Sequence, residues 1–183
     1  MCSTRRLGNS EQLAYCAAHP LPTDAGQRWL HLLDFPLSDF IDLRHNGSFQ
    51  PPVGNAQLLL EATLNATDLV LVAPLYWYGL PAPAKLYLDH WSAWLRTPGI
   101  NFRELMQGKV LWVITVSSGG RAEAQPLEDS LILTARYLHM RWGGLLYGTG
   151  SRPNDIQLDA PALHRAKSFF ASSAAEIAAP PVA

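Results

Sequence analysis

Lys109-Val110-Leu111-Trp112-Val113-Ile114-Thr115-Val116-Ser117-Ser118-Gly119-Gly120 is the stretch that decides the fold: it begins as an apolar run and ends as a polar, glycine-bearing loop. An apolar run without alternation predicts a strand that is buried on both faces, as in a parallel sheet. Residues 68–73 form a second run of the same kind. The two runs indicate neighbouring strands of one parallel sheet.

Working outward, helical and strand-like segments alternate along the chain, which is typical of a parallel sheet wrapped by helices. We therefore expect one layered α/β domain over residues 1–178, followed by a disordered tail at residues 179–183. Besides residues 68–73 and 109–116, the predicted strands are residues 40–43 and 143–148. The first predicted helix begins near Ser10. Four further helices are predicted at residues 56–66, 81–95, 126–140 and 160–178.

Composition excludes several classes of protein. The 183 residues include 14 basic and 15 acidic side chains. This balance argues against a nucleic-acid-binding surface and against an electron carrier steered by a strongly charged face. We expect no membrane span and no signal peptide. The two cysteines suggest free thiols in a cytoplasmic protein, and the six histidines are too scattered to predict a metal site.

The first ten residues, Met-Cys-Ser-Thr-Arg-Arg-Leu-Gly-Asn-Ser, have the composition of a phosphate-binding loop. Hydroxyl and amide side chains alternate with two arginines, and Gly8 gives the backbone freedom to bend around a ligand. A helix that begins near Ser10 would add unpaired N–H groups and the positive end of its dipole, which favour an anion. The alternative is a polar terminus ahead of an ordinary helix.

Two further loops are predicted at strand ends. Pro74-Leu75-Tyr76-Trp77-Tyr78-Gly79 places three successive aromatic residues after a buried strand. They favour stacking on a flat conjugated ligand, although capping of the core or a subunit interface would also explain them. Residues 117–120 form the other loop. Ligands of such sheets lie beyond the carboxyl ends of the strands, so the three loops predict one site.

Together these loops resemble those of the flavodoxin-like NAD(P)H-dependent FMN reductase and quinone reductase family. The family's phosphate loop typically reads Gly-Ser-x-Arg-x-x-Gly-Asn-Thr, and residues 2–10 keep the Ser, Arg, Gly and Asn together with a final hydroxyl. The second loop matches at Pro74, Tyr76, Pro81, Lys85 and Asp89. The resemblance implies a flavodoxin-like three-layer sandwich with a parallel sheet.

The resemblance also implies a role for each matching position. Ser3, Arg5, Asn9 and Ser10 would hold the FMN phosphate. The isoalloxazine ring would be lined by the second loop, namely Pro74, Leu75, Tyr76, Trp77 and Gly79. Its pyrimidine side would be approached by Ser117, Ser118, Gly119 and Gly120. Lys85 and Asp89 are expected to stabilise the start of their helix rather than to contact flavin.

The chain departs from the family pattern at its beginning. Cys2 stands where the family usually has glycine, and the apolar strand that normally precedes the loop is absent from the sequence. We therefore expect a sheet without its first strand, in which the strand at residues 40–43 loses its expected partner. A misassigned start, a fragment or a sheet that closes differently would each explain this, and we favour a truncated or misannotated N-terminus.

The function implied is that of an FMN-dependent oxidoreductase. NADPH or NADH would reduce the flavin, and a quinone, azo compound, free flavin or metal ion would take the electrons in a ping-pong reaction. No catalytic acid or base is assigned. The aromatic helix at residues 81–95 favours a homodimer, although a thick local core would also explain it. The alternatives are a flavin-binding electron carrier and a non-catalytic interaction domain that has lost FMN.

Overall fold

The computed structural model describes residues 1–45 and 47–171, and their centre is a parallel sheet of three strands. Strands β1 (Asp68–Pro74), β2 (Val110–Ser117) and β3 (Arg141–Thr149) lie in the order β1-β2-β3. Asp68 pairs with Val110 and Val110 with Arg141, so the amino ends of the strands are aligned. The three predicted strands that begin at residues 68, 109 and 143 are confirmed.

Six α-helices connect and flank the strands in the described part of the chain. Their order agrees with the predicted alternation, apart from one short helix that the sequence pattern did not indicate. They are α1 (Asn9–Ala18), α2 (Asn55–Asn65), α3 (Ala82–Trp94), α4 (Phe102–Met106), α5 (Gln125–Tyr137) and α6 (Ala160–Ala166). The unpredicted helix is α4. Of the final helix predicted at residues 160–178, the described residues contain the helix Ala160–Ala166. Residues 172–183, which include the predicted tail, lie outside the described residues.

Two apolar cores lie on opposite faces of the sheet, since successive strand side chains point in opposite directions. Leu71 and Val113 pack with α2, α3, α4 and α5 on one face. Val72 and Ile114 pack with α1 and α6 on the other face. The predicted three-layer, flavodoxin-like arrangement is confirmed.

The predicted strand at residues 40–43 is wrong. These residues adopt no regular structure, and Ile41 is 69% exposed, so the apolar residues of this segment do not form a buried strand. The chain instead runs beside the N-terminus at residues 30–32. There the Met1 amine donates to the Leu30 carbonyl at 2.7 Å, and the Leu32 N–H donates to the Met1 carbonyl at 3.0 Å.

The aromatic residues of α3 lie in the core of the subunit. Tyr87, Trp91 and Trp94 are at most 8% exposed and pack together with Phe102 of α4. A thick local core therefore explains why this helix is rich in aromatic residues. The aromatic residues of the helix thus give no support for a homodimer. Within the described residues, no helix is both long and apolar enough to cross a membrane.

Candidate functional site

A pocket of about 410 Å³ lies at the carboxyl ends of the strands. The three loops predicted from the sequence converge on it, and the segment that follows β3 closes it. The residues that line it are Ser3, Arg5, Gly8, Asn9, Ser10, Pro74, Leu75, Tyr76, Trp77, Tyr78, Val116, Ser117, Ser118, Glu123, Gly150 and Ser151. The topology therefore gathers segments that are more than 100 residues apart in the sequence into one site.

Hydrogen bonds within the first loop fix its path. Ser3 Oγ accepts the Arg5 N–H at 3.0 Å. Leu7 has a φ of 53°, in the left-handed region that a leucine rarely adopts, and its N–H donates to Glu11 Oε2 at 2.6 Å. The loop thus curls back on the first turn of α1, which leaves the start of that helix facing the pocket.

Glu11 is a buried charge beneath the loop. Its residue is 2% exposed, and besides the Leu7 amide it accepts the Tyr15 hydroxyl at 3.1 Å, while His31 Nε2 lies 3.3 Å from its Oε1. A buried carboxylate that lacks hydrogen-bond donors is costly in free energy. The donors around Glu11 are therefore held firmly in place. Sequence analysis did not identify this residue.

The two arginines of the first loop have different surroundings. Arg6 forms an ion pair with Asp34, and the hydrogen bond from Arg6 lowers the pKa of the Asp34 carboxyl. Arg5 lines the pocket, and the structure records no ion pair of its side chain with any described residue. Arg5 is thus the loop cation that is available to an anionic ligand.

The start of α1 supplies two polar side chains to the pocket, and they differ in how they are engaged. Asn9 Nδ2 donates to the Arg152 carbonyl at 2.8 Å, and Asn9 Oδ1 accepts the Ile156 N–H at 3.4 Å. Both ends of this amide therefore hold the segment after β3. Ser10 is 3% exposed and lines the pocket without a recorded hydrogen bond to a described residue.

The aromatic loop is a tight two-residue turn. Tyr76 N–H donates to the Gly79 carbonyl at 3.1 Å, and Gly79 N–H donates to the Tyr76 carbonyl at 3.0 Å. Between them Trp77 and Tyr78 have φ values of 51° and 62°, as in a type I′ turn, where Asn and Gly are preferred. Trp77 is 95% exposed. A strained turn that displays large apolar rings beside a pocket indicates a binding role.

The loop after β2 is held by Tyr147 of β3. The Tyr147 hydroxyl donates to the Gly119 carbonyl and lies 2.9 Å from Ser117 Oγ. Because a phenol carries one hydrogen, Ser117 must be the donor in the second contact. Ser117 Oγ also accepts the Gly119 N–H at 3.3 Å. Ser117 thus shapes the loop, whereas Ser118 lines the pocket with no recorded partner among the described residues.

Most of the predicted site residues line the pocket, and three do not: Gly79, Gly119 and Gly120. Gly79 closes the aromatic turn, and the side chain of Glu123 lies over Gly119, where an added Cβ would be 1.9 Å from Glu123 Oε2. Lys85 and Asp89 are also outside the pocket lining and form an ion pair along α3.

Sequence analysis missed Glu123 and the Gly150-Ser151 segment. Gly150 and Ser151 follow β3, so the rule that ligands lie beyond strand ends would have found them. Glu123 belongs to the 3-10 helix Arg121–Ala124, which the residue pattern did not indicate. An added Cβ at Gly150 would lie 2.9 Å from Asn9 Nδ2, which explains how closely this segment approaches α1.

Comparison with known proteins agrees with this geometry. The family model for NADPH-dependent FMN reductase matches residues 1–144. YwqN of Bacillus subtilis (strain 168), which bears the provisional name NAD(P)H-dependent FMN-containing oxidoreductase, is 30% identical over 173 residues, with 93% of each chain covered. FMN-dependent NADH:quinone oxidoreductase 2 of Jannaschia sp. (strain CCS1) is 30% identical over 100 residues, which cover 55% of this chain and 48% of that protein.

Solved structures show the same fold. The Trp repressor binding protein from Bacillus subtilis aligns with a TM-score of 0.74 and 26% identity over 92% of this chain and 94% of that one. An azoreductase from Bacillus anthracis str. Sterne aligns with a TM-score of 0.63 and 18% identity over 92% and 95%. By its sequence match and its fold, this chain belongs to the NADPH-dependent FMN reductase family.

Proposed function

We propose that this chain binds FMN in the 410 Å³ pocket and acts as an NAD(P)H-dependent oxidoreductase. The observation that carries the proposal is the meeting of three features at one pocket: a helix start, the Arg5 cation, which has no ion pair among the described residues, and an exposed aromatic turn. When bound, FMN supplies the redox chemistry by accepting hydride and passing on electrons, while the protein binds and orients it.

The first loop fits the phosphate. Arg5 offers a charged donor, and the hydroxyls of Ser3 and Ser10 lie beside it in the lining. The first N–H groups of α1 add the positive end of the helix dipole. Asn9 would contribute indirectly, because its side chain already holds the segment after β3 in place.

The aromatic turn fits the ring system. Tyr76 and Trp77 offer faces for stacking, and Pro74 and Leu75 offer apolar contact and main-chain atoms. At the loop after β2, Ser117 is engaged with Tyr147, whereas the Ser118 hydroxyl has no recorded partner in the described part of the chain. We propose that Gly79, Gly119 and Gly120 act through the shape of these loops, since their atoms do not line the pocket.

The reaction proposed is a ping-pong exchange in which NADPH or NADH and then an acceptor use the same place beside the aromatic turn. The acceptor is a quinone, an azo compound, free flavin or a similar small molecule. We propose that the hydroxyl of Tyr76 or Tyr78 donates a proton to a reduced quinone, since both residues line the pocket and are 49% and 55% exposed. Parallel double-reciprocal plots at several acceptor concentrations would support this order, and intersecting plots would contradict it.

The decisive experiment measures binding and turnover separately. Purified protein is titrated with FMN by flavin fluorescence, and NADPH and NADH oxidation are then followed by the absorbance of the reduced nicotinamide, with a benzoquinone and with an azo dye as acceptors. We expect saturable binding of one FMN per chain, and acceptor-dependent oxidation well above that of free FMN. FMN binding without nicotinamide oxidation would indicate an electron carrier, and no FMN binding would indicate an interaction domain.

We further propose a homodimer in the cytoplasm. The exposed rings of the aromatic turn support a subunit contact near the pocket, since clustered exposed apolar side chains often mark a protein interface. Cys2 and Cys16 are free thiols, as is usual in a reducing compartment. Light scattering after gel filtration and cell fractionation test the two statements; a monomer, or a protein outside the cytoplasm, would contradict them.

A further inference from the structure

Helix α5 carries large apolar side chains on the face that is turned away from the core. Leu127 and Leu131 are buried, whereas Leu133 and Tyr137, one turn apart, are 62% and 53% exposed. Among the helices of the described ranges, only α5 exposes two large apolar side chains at this spacing. Exposed apolar side chains that stand together mark a surface where another molecule binds more often than scattered ones do.

The same face carries charges that are separated along the helix. It consists of the exposed residues Asp129, Ser130, Leu133, Arg136 and Tyr137, here called the α5 face. Asp129 lies toward the amino end and Arg136 toward the carboxyl end, and neither has an ion pair recorded in the part of the chain that the structure describes. Arg103 of α4 lies over the Tyr137 ring, 4.2 Å from its centroid, and adds a positive charge at the basic end.

A face with an acidic end, an apolar centre and a basic end is complementary to itself. A twofold axis through Leu133 lays two α5 helices antiparallel, so that the acidic end of each helix meets the basic end of the other. At a rise of about 1.5 Å per residue, Asp129 lies about 6 Å before Leu133 and Arg136 about 4.5 Å beyond it. The carboxylate and the guanidinium then lie opposite each other on both sides of the axis, and the long arginine side chain covers the remaining difference of about 1.5 Å.

We propose that the α5 face binds the α5 face of a second copy of this chain, with Leu133 at the twofold axis and Asp129 of each copy paired with Arg136 of the other. Leu133 and Tyr137 supply the apolar centre of the contact. The two ion pairs fix the antiparallel direction, because a parallel arrangement would place like charges together. This contact is separate from the aromatic turn, and it does not depend on FMN binding.

The test exchanges the two charges. Asp129→Arg and Arg136→Asp are made singly and together, and the mass of the assembly is measured by sedimentation equilibrium over a range of concentrations. Each single change places like charges opposite each other, so we expect the dissociation constant of the contact to rise at least about 10-fold. The double variant restores opposite charges, and its dissociation constant should return to within about 3-fold of that of the natural chain. Glu61→Arg on α2 is the matched control, because exposed Glu61 accepts Gln57 as Asp129 accepts Gln125, four residues earlier in each helix.

A second measurement uses the twofold axis. A residue on such an axis meets its own copy, so Leu133→Cys should form a disulfide between two chains under mild oxidation. Leu58→Cys, at a position of α2 that is 42% exposed, should form none. The natural chain, treated in the same way, accounts for any cross-link through Cys2 or Cys16. Urea unfolding checks that each variant is folded.

Four results would overturn the proposal. They are a natural chain that is monomeric at every concentration, single charge changes that leave the mass unaltered, a double variant that dissociates as readily as the single ones, and no cross-link with Leu133→Cys. The contact proposed at the aromatic turn is tested apart from this one. If both contacts form, the natural assembly contains four chains and the single variants contain two; if only the α5 contact forms, these numbers are two and one.

Discussion

At the scale of single residues, Arg5 and Arg6 differ in what they are free to bind. Arg5 lines the pocket, whereas Arg6 is paired with Asp34. We expect Arg5→Gln to weaken FMN binding about 10-fold, because it removes a charge-assisted hydrogen bond to the phosphate. Arg6→Gln removes the same charge and is the matched control. Fluorescence titration measures both, and equal losses would show that only the net charge of the loop matters.

Glu11 is predicted to hold the first loop, residues 3–10, in shape. Glu11→Gln should lower the free energy of unfolding by about 1–3 kcal/mol, since one of its donors would be left without a proper acceptor. Exposed Glu61, which accepts Gln57 Nε2 at 2.9 Å, provides the control: Glu61→Gln should change stability by less than about 0.5 kcal/mol. Urea unfolding followed by circular dichroism decides this, and a silent Glu11→Gln would remove the role assigned to Glu11.

At the scale of elements, we expect the aromatic turn to lower stability and to contribute to FMN binding. Replacing Trp77 with Asn and Tyr78 with Gly gives the residues that a type I′ turn prefers, and we expect stability to rise by about 1–2 kcal/mol. FMN affinity should fall about 10-fold, because the stacking rings are lost. Trp77→Phe keeps a ring and should retain most of the affinity. If the double variant binds FMN normally, the rings serve another purpose.

The sequence predicts elements well where an element's own residues determine them. Residues 69–73 and 110–114 are apolar without a break, and that pattern favours a strand buried on both faces. Residues 40–43 are also mostly apolar, but over a shorter run, and they lie at the surface. For so short a run, tertiary contacts determine the structure. The pairing at Leu30 and Leu32 has no local signal, since it depends on the distant Met1.

The site follows the same rule. Sequence motifs were enough to predict that Ser3, Arg5 and Trp77 meet at one pocket, because the carboxyl ends of parallel strands lie at one edge of the sheet. They were not enough to find Glu123, which reaches the pocket through a short 3-10 helix, or to show that both ends of the Asn9 amide are already bonded. Such details arise from packing between segments that are far apart in sequence.

At the scale of the whole molecule, the buried Tyr87 makes stability depend on alkaline pH. Burial raises the pKa of Tyr87 to about 12 from an ordinary value of 10.0. Between these values the unfolded chain loses a proton that the folded chain keeps, so the free energy of unfolding falls as pH rises. The contribution of protonated Tyr87 to the free energy of unfolding is fully present below pH 10 and is lost by about pH 12.

Tyr87→Phe isolates this effect. The variant loses the contact between the Tyr87 and Thr63 hydroxyls and should be less stable than the natural chain at pH 9. At pH 11 the difference should shrink by about 1 kcal/mol, because phenylalanine does not titrate. Urea unfolding at the two pH values measures it. The control is Tyr137→Phe at a residue that is 53% exposed; a shrinkage of the same size there would contradict the assignment to burial.

The exposed ring at position 77 also gives the molecule a built-in optical reporter. Trp77 is 95% exposed, whereas Trp29, the next most exposed tryptophan that the structure quantifies, is 37% exposed, and Trp91, Trp94 and Trp112 are at most 3% exposed. A soluble collisional quencher such as iodide would therefore act mainly on Trp77. Because this indole stands beside the pocket, its emission can follow the arrival of any ligand there without an added label.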